Sequence, residues 1–529
     1  MTLLYALRAR LPIAVISQIT ACVIPLGCAA LLAACSSGDG AAPAAPADAG
    51  APDTSDASLA VISDASGEAA HIDAGHQDSG GDASITPPVG SHLATGDNLQ
   101  IQGMTGDGYA VYADFGSNEL YAVPINGGAP VTIASIAGGS DAVLVQASVV
   151  LAWTQLDANS VGTLTAWSAA TGAHVLSTAS TPGSSYWVGA ASPDSSRVAY
   201  AGNVTSTTAD VYASATDGTG ATKLVAAAPV GTCLPFLVFA GAHLLAATCP
   251  TSTGYAVSSF SVPAWSRADL ASDLTTFDWD HAGTTLIAFP ATAGVQAIPI
   301  GGGPATTIDT VGAYGSVTPD GKSVVYSTVT EIKRSPIASP LPITLVSSQD
   351  TPGVRGIYGV APSGETLLFY TQATSSAIVP STDLFLASAV TPGVPAGIVS
   401  GGSPTVDGYQ VRFADDSTPL FLQYYAPASG GNLEAVPGGA DAGAPIMLAQ
   451  SVSVYRAVPQ GRVVFETAST PPASGSEIEV VNLSGATPPV PFVGDADIVF
   501  ELSPTRDRVV YTWSAEKGAL AGLYVVAVP

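Results

Sequence analysis

One short pattern constrains the fold of this chain more than any other: a polar turn built around Pro-Asp-Gly, followed at once by an apolar strand. "TPDGKSVVYS" occupies 318–327. Pro319 presets φ for the first corner of a turn, Asp320 bonds its own backbone, and Gly321 accepts φ > 0. The residues after Lys322 are β-branched or aromatic and read as strand. "SPDSSRVAY" (192–200), "APSGETLLFY" (361–370) and "SPTRDRVVY" (503–511) repeat the pattern, and weaker copies start at Met104, Asp278 and Ala457. The strand often ends in Tyr or Phe. A phosphate loop is the competing reading of Gly315 to Ser323. It needs four residues between its glycines and a helix after the Lys. Five residues separate Gly315 from Gly321, and a strand follows.

A second signature trails the first by roughly a dozen to twenty residues, as parts of one repeat unit should. It begins at Glu119, Asp210, Val295 and Ile478, and each copy reads strand, Gly-containing turn, strand. One unit therefore holds four short strands in a meander. About ten units fit between residues 97 and 529, with a period of roughly 40 to 50 residues. The expected class is all-β: a β-propeller of four-stranded antiparallel blades. A single blade leaves two faces bare, and stacking blades about an axis covers them and leaves short, protected edges. A β-sandwich array or a β-helix is the alternative, although a β-helix needs shorter rungs. Common propellers have four to eight blades. Ten units imply an unusually large ring, insertions, or a second small propeller.

The turns at 192–200 and 318–327 resemble the PD40, or WD40-like, repeat of TolB-type propellers. In that family the Ser/Thr-Pro-Asp-Gly turn leads into the second strand of a blade. The resemblance covers most of the chain after residue 97. It implies a propeller and an interaction role, without a transferable active site. TolB's preceding α/β domain and the following hydrolase domain of prolyl oligopeptidases have no counterpart in this sequence.

The start of the chain reads as an export signal. Arg8 and Arg10 precede an apolar run from Leu11 to Ala34, with small residues before Cys35. Leu32-Ala33-Ala34-Cys35 resembles a bacterial lipobox, which implies residues 1–34 as a lipoprotein signal peptide and lipidation at Cys35. Ile19-Thr20-Ala21-Cys22 also fits, but cleavage there would leave an apolar stretch on the mature protein. An uncleaved membrane anchor is the other reading. Ser36, rather than Asp, after the Cys implies passage to the outer membrane. Residues 35–96 are rich in Ala, Pro, Asp, Ser and Gly, without Lys, Arg or aromatics to residue 96. Such a segment buries too little apolar surface to order itself and reads as a disordered tether, extended by its own charge. His71, Asp73, His76 and Asp78 within it have no fixed geometry for a metal.

Charge narrows the partners. Lys+Arg total 15 against Asp+Glu 41, a net charge of −26, which argues against a nucleic-acid partner. The expected partners are the membrane, through the lipid anchor, and a protein or glycan on the propeller. No cofactor or metal motif stands out. There is no Gly-x-Ser-x-Gly and no His-Glu-x-x-His, and His174, His243 and His281 lie far apart. Asp278 and Asp280, flanking Trp279, are the best pair for acid/base work, but they occupy a turn where Asp is expected for backbone bonding. "DGTGATK" from Asp217 mimics a phosphate loop at a strand-turn-strand step. Phe421, Tyr424 and Tyr425 form a candidate sugar-stacking patch, or a half-buried strand. The preferred reading is a lipid-anchored binding or scaffold module of the cell envelope. The alternative is an envelope polysaccharide hydrolase or lyase using carboxylates at the propeller mouth.

Two long-range pairings follow. Cys233 and Cys249 flank "AGAH" (240–243) as if on two strands of a hairpin, and export favours a disulfide; buried reduced thiols are the alternative. The last unit supplies only three strands, ending in "GLYVVAVP" (522–529), which would leave an open edge. "VGSHLAT" (89–95) is the spare segment expected to pair with residues 522–528 and close the ring.

Overall fold

The computed structural model describes residues 88–529, less the segments 137–141, 183–187, 231–234, 252–253, 293, 348, 350, 352–353, 373–381, 400–410, 427–429, 439–443, 468–475, 497–499 and 514–519. The described residues form antiparallel strands and no α-helix. Four sheets are single four-stranded blades, and three larger sheets hold two blades each. The ten blades run in chain order from blade 1 (99–135) through blades 2 (142–180), 3 (189–229), 4 (236–274), 5 (274–309), 6 (314–347), 7 (354–399), 8 (412–450) and 9 (452–496) to blade 10 (500–527). Two of the double sheets arise because one long strand serves two blades. Ser266–Trp279 is the outer strand of blade 4 and then the inner strand of blade 5, and Ile446–Val458 does the same for blades 8 and 9.

The ring is single and closed. Ten hydrophobic clusters each join one blade to its neighbour, and the last joins blade 10 to blade 1 through Val510, Leu523 and Val525 against Ile101 and Tyr112. A second small propeller is therefore not needed to place ten units. Blade 10 takes its fourth strand from the other end of the chain. Ser91–Thr95 pairs antiparallel with its third strand, with Ser91 facing Val525 and Thr95 facing Gly522. The expected closing segment is the one used, and the folded unit begins ahead of residue 97.

Position within a blade explains the sequence pattern. The second strand lies between two other strands and under a blade on each face, so Val149–Thr154 and Ser323–Ser327 are buried along their whole length. That is why these stretches are continuous apolar runs rather than alternating ones. Outer strands such as Thr306–Asp309 bury little more than one side chain. The aromatic residues that end the second strands meet partners on the third. Tyr112 stacks on Tyr121, Tyr200 on Tyr212, Phe369 on Phe385 and Tyr511 on Tyr524, with ring centroids 5.4, 5.6, 5.3 and 5.8 Å apart. Each pair is directly cross-strand, the arrangement in which aromatic neighbours add about 0.2–1 kcal/mol to a sheet.

Candidate binding face

The Thr318 turn shows how the face is built. Gly321 N–H donates to the Thr318 carbonyl at 2.8 Å, Lys322 N–H to Asp320 Oδ1 at 3.0 Å, and Ser323 N–H to Thr318 Oγ1 at 3.1 Å. The amides of Gly321, Lys322 and Ser323, which a phosphate loop would turn toward its ligand, are taken by the turn itself. Gly321 sits at φ 71°, as a hairpin corner requires. The Ser192 turn repeats these bonds, with Ser195 N–H on the Ser192 carbonyl, Ser196 N–H on Asp194 and Arg197 N–H on Ser192 Oγ. In the Ser503 turn, Arg506 occupies the left-handed corner at φ 58° without a glycine. The turn carboxylates respond to these donors. The Ser192 hydroxyl, more than any other group, holds Asp194 below the usual carboxylate range, and the Thr505 and Ser503 hydroxyls do so for Asp507. At Asp320 burial pulls upward, but the Thr318 hydroxyl and Lys322 amide outweigh it and the net shift is down.

Each blade is a meander entered from the inner strand, so these first turns all lie on one face, beside the axis. Successive turns touch. Gly106 N–H of blade 1 reaches the Ala147 carbonyl of blade 2 at 2.6 Å. Ser148 N–H of blade 2 reaches Ser195 Oγ of blade 3 at 2.9 Å, and Ser363 N–H of blade 7 reaches Ser417 Oγ of blade 8 at 3.0 Å. Gly283 of blade 5 lies so close to the Ala240–Gly241 backbone of blade 4 that a Cβ there would sit 2.4 Å from it. One contact skips a blade: Arg506 of blade 10 grips Asp415 of blade 8 with both terminal nitrogens, at 3.0 and 2.6 Å.

The carboxylate pair singled out from the sequence belongs to this scaffold. Asp278 is buried. Its Oδ2 accepts Val317 N–H of the next blade at 2.8 Å and the Ser316 hydroxyl at 3.2 Å, and its Oδ1 accepts Trp279 N–H at 2.9 Å. Asp280 accepts the amide and hydroxyl of Thr284 at 2.7 and 2.5 Å. One staples blade 5 to blade 6 and the other shapes a turn, so the two do not converge on a common point. Phe421 is fully buried in the cluster between blades 7 and 8, which removes the centre of the proposed sugar-stacking patch; the side chains of Tyr424 and Tyr425 lie outside the described residues. Thr219 N–H caps Asp217 within a strand-turn-strand step, as its sequence implies. His174 bonds the Thr171 carbonyl on an outer strand, and no group of three or more metal-ligating side chains occurs among the described residues. A depression of about 250 Å³ lies at the rim between the outer parts of blades 1 and 2, lined by Ser135, Thr154, Gln155, Thr163 and Val175 among others, none of them ionisable.

Cys249 is buried and disulfide-bonded, while Cys233 lies outside the described residues. The hairpin expected there is present, with Ala240 facing His243, which centres its turn between Gly241 and Ala242. Cys35, His71, Asp73, His76 and Asp78 also lie outside the described residues.

No protein-family profile matches the chain, and no curated protein matches it in sequence. Solved structures with a similar course of chain include β-propeller domains. A putative TolB from Agrobacterium tumefaciens matches at 16% identity and TM-score 0.25, over 48% of this chain and 90% of its own. A eukaryotic initiation factor matches at 13% identity and TM-score 0.45, over 78% and 90%. The propeller domain of the trilobed protease from Pyrococcus furiosus, described as having an open velcro topology, matches at 10% identity and TM-score 0.30, over 55% and 95%. This chain, by contrast, closes its last blade with Ser91–Thr95. Similarity at this level concerns the fold alone.

Proposed function

We propose that the chain is an exported, lipid-anchored propeller that binds a protein or glycan partner in the bacterial envelope on its turn-bearing face. The observation that carries this reading is the ring of first turns. Side chains such as Asp194, Lys322, Glu365 and Asp416 stand on turns whose backbone is fixed by internal bonds and by the neighbouring blade. Loops held rigidly at one end of a scaffold form a broad surface for partners. The lipobox-like Cys35 and the acidic segment up to residue 96 supply an anchor and a spacer at the outer membrane. Asp278 and Asp280 spend their oxygens on the scaffold, which leaves the hydrolase or lyase reading without its acid/base pair.

The test is crosslinking of the tethered protein in intact envelopes, with a variant that reverses charges on the face (Lys322→Glu with Glu365→Lys). A specific adduct is expected, and the variant should lose it while keeping its thermal stability. An adduct of equal yield in both proteins places the partner elsewhere.

A further inference from the structure

The face that blade 2 turns toward blade 1 changes character along its length. Val150, Ala152 and Trp167 pack there in the cluster that joins the two blades. Side chains alternate along a strand, so farther along Val149–Thr154 and farther back along Gly162–Ser168 the same face carries Thr154, Thr165 and Thr163. Thr154 lies directly opposite Thr163 in the ladder, and Thr165 lies opposite Val175. All three threonines line the depression of about 250 Å³ between the blades, beside Ile133 of the outer strand of blade 1. Thr154 and Thr165 are only 3% and 6% exposed. None of the three hydroxyls has a hydrogen-bond partner among the described residues. Buried threonines at the turns use theirs in the fold: Thr216 donates to the Ser195 carbonyl at 2.7 Å and Thr318 to Asp320 Oδ1 at 2.6 Å.

A hydroxyl withdrawn from bulk water costs free energy unless something in the cleft bonds it. The lining selects what can. No side chain in it is ionisable, so a charged ligand would leave its water without meeting a counter-ion. A hydroxyl both donates and accepts, so three together suit a ligand whose own groups do both, a polyhydroxyl compound. Ile133, Ala173 and Val175 supply apolar ground for the C–H side of such a ligand. A volume of about 250 Å³ is the share of roughly eight waters at about 30 Å³ each. That is room for one sugar ring, and less than a drug-sized pocket.

We propose that this cleft holds one neutral sugar ring, free or at the end of a glycan, through the hydroxyls of Thr154, Thr163 and Thr165. Thr154 ends the second strand of blade 2 and Thr163 opens the third, so the site starts at the end of the blades away from the first turns. It neither needs nor excludes a partner on the turn-bearing face.

The experiment is titration of the full chain, labelled at its threonine methyl groups, followed by NMR. The probes are methyl α-glucoside, methyl β-galactoside, their chain forms maltotriose and galactobiose, and glucuronate as the charged counterpart. Saturable shifts at Thr154, Thr163 and Thr165, with millimolar dissociation constants, are expected from at least one neutral sugar and not from glucuronate. Tighter binding of a chain form than of its own monosaccharide marks the ring as the end of a glycan, and equal binding marks a free sugar. Thr163→Val removes one hydroxyl at nearly constant shape and should weaken binding roughly three- to tenfold. Thr154→Val combined with it should abolish binding. Because these hydroxyls have no partner in the fold, both variants should keep or raise the thermal midpoint measured without sugar. Thr132→Val, on the exposed part of Val131–Ser135 and outside the lining, should bind as the parent does. No shift with any of the neutral sugars, glucuronate bound as tightly as they are, or a Thr163→Val protein that binds normally would each overturn the proposal. So would a lowered midpoint in Thr163→Val, because the hydroxyl would then serve the fold rather than a ligand.

Discussion

Ring closure depends on five residues contributed from the far end of the chain, and its strength can be worked out from them. Leu93 and Ala94 of Ser91–Thr95 are 8% and 7% exposed and pack in the cluster that joins blade 10 to blade 1. The Tyr511 hydroxyl donates to the Val89 carbonyl, and His92 meets Tyr524 edge-on at 5.1 Å. Leu93→Ala removes the largest apolar contact of the strand. Core Leu→Ala changes cost about 2–5 kcal/mol, and an edge strand with one wet side falls at the low end, about 2–3 kcal/mol. That loss lowers the free energy for peeling the strand away, because edge elements open locally rather than with the whole fold. At 1.4 kcal/mol per factor of ten, hydrogen-exchange protection of the amides at 522–525 should drop by roughly 30- to 150-fold. Amides of blade 5, halfway round the ring, should be unaffected. Deleting residues 87–96 should remove this protection altogether, whereas deleting 40–80 should leave it intact. Unchanged protection at 522–525 in Leu93→Ala, or equal loss in the two deletions, would refute the idea that this strand holds the ring shut.

The other predictions concern the scaffold and the anchor. Asp278→Ala leaves the buried Val317 amide without its acceptor and should cost about 2–4 kcal/mol in urea denaturation; lost function at unchanged stability would instead revive a catalytic role. Asp194, Asp320 and Asp507 are held below the usual carboxylate range, so their contribution to stability is present above about pH 4 and lost as pH falls through their depressed values. The urea midpoint should therefore fall between pH 5 and pH 3, and less steeply in Asp320→Asn; an identical slope in that variant counts against the assignment. Cys35→Ser should move the protein from the membrane fraction to the soluble one, and mass spectrometry should find diacylglycerol on the parent; a parent without lipid and a variant that still sediments with membranes would point to the uncleaved apolar anchor. Thiol titration of denatured, unreduced mature protein should find neither Cys233 nor Cys249 free, and two reactive thiols would exclude their pairing.

What was legible in the sequence was local. A Pro-Asp-Gly corner needs only its own residues to form, so the Thr318 and Ser192 turns, the apolar strands after them and the count of ten units could be read directly. The closing strand could be read too, because a last unit with three strands demands a fourth and only one spare segment had strand character. The features that escaped depend on contacts between blades. Asp278 looks like any turn aspartate until the inner strand of blade 6 is placed beside it, with Val317 on its carboxylate. The single strands shared by two blades, Ser266–Trp279 and Ile446–Val458, hide a blade boundary inside one continuous run. The occurrence of one arginine on each inner strand of blades 7, 8 and 9 is hidden for the same reason. Arg355, Arg412 and Arg456 are unequally spaced along the chain, and none sits in a motif. Only the fold shows that all three occupy the strand nearest the axis. Local chemistry thus specifies the blades, and the order in which the blades stack decides which of their side chains share a wall.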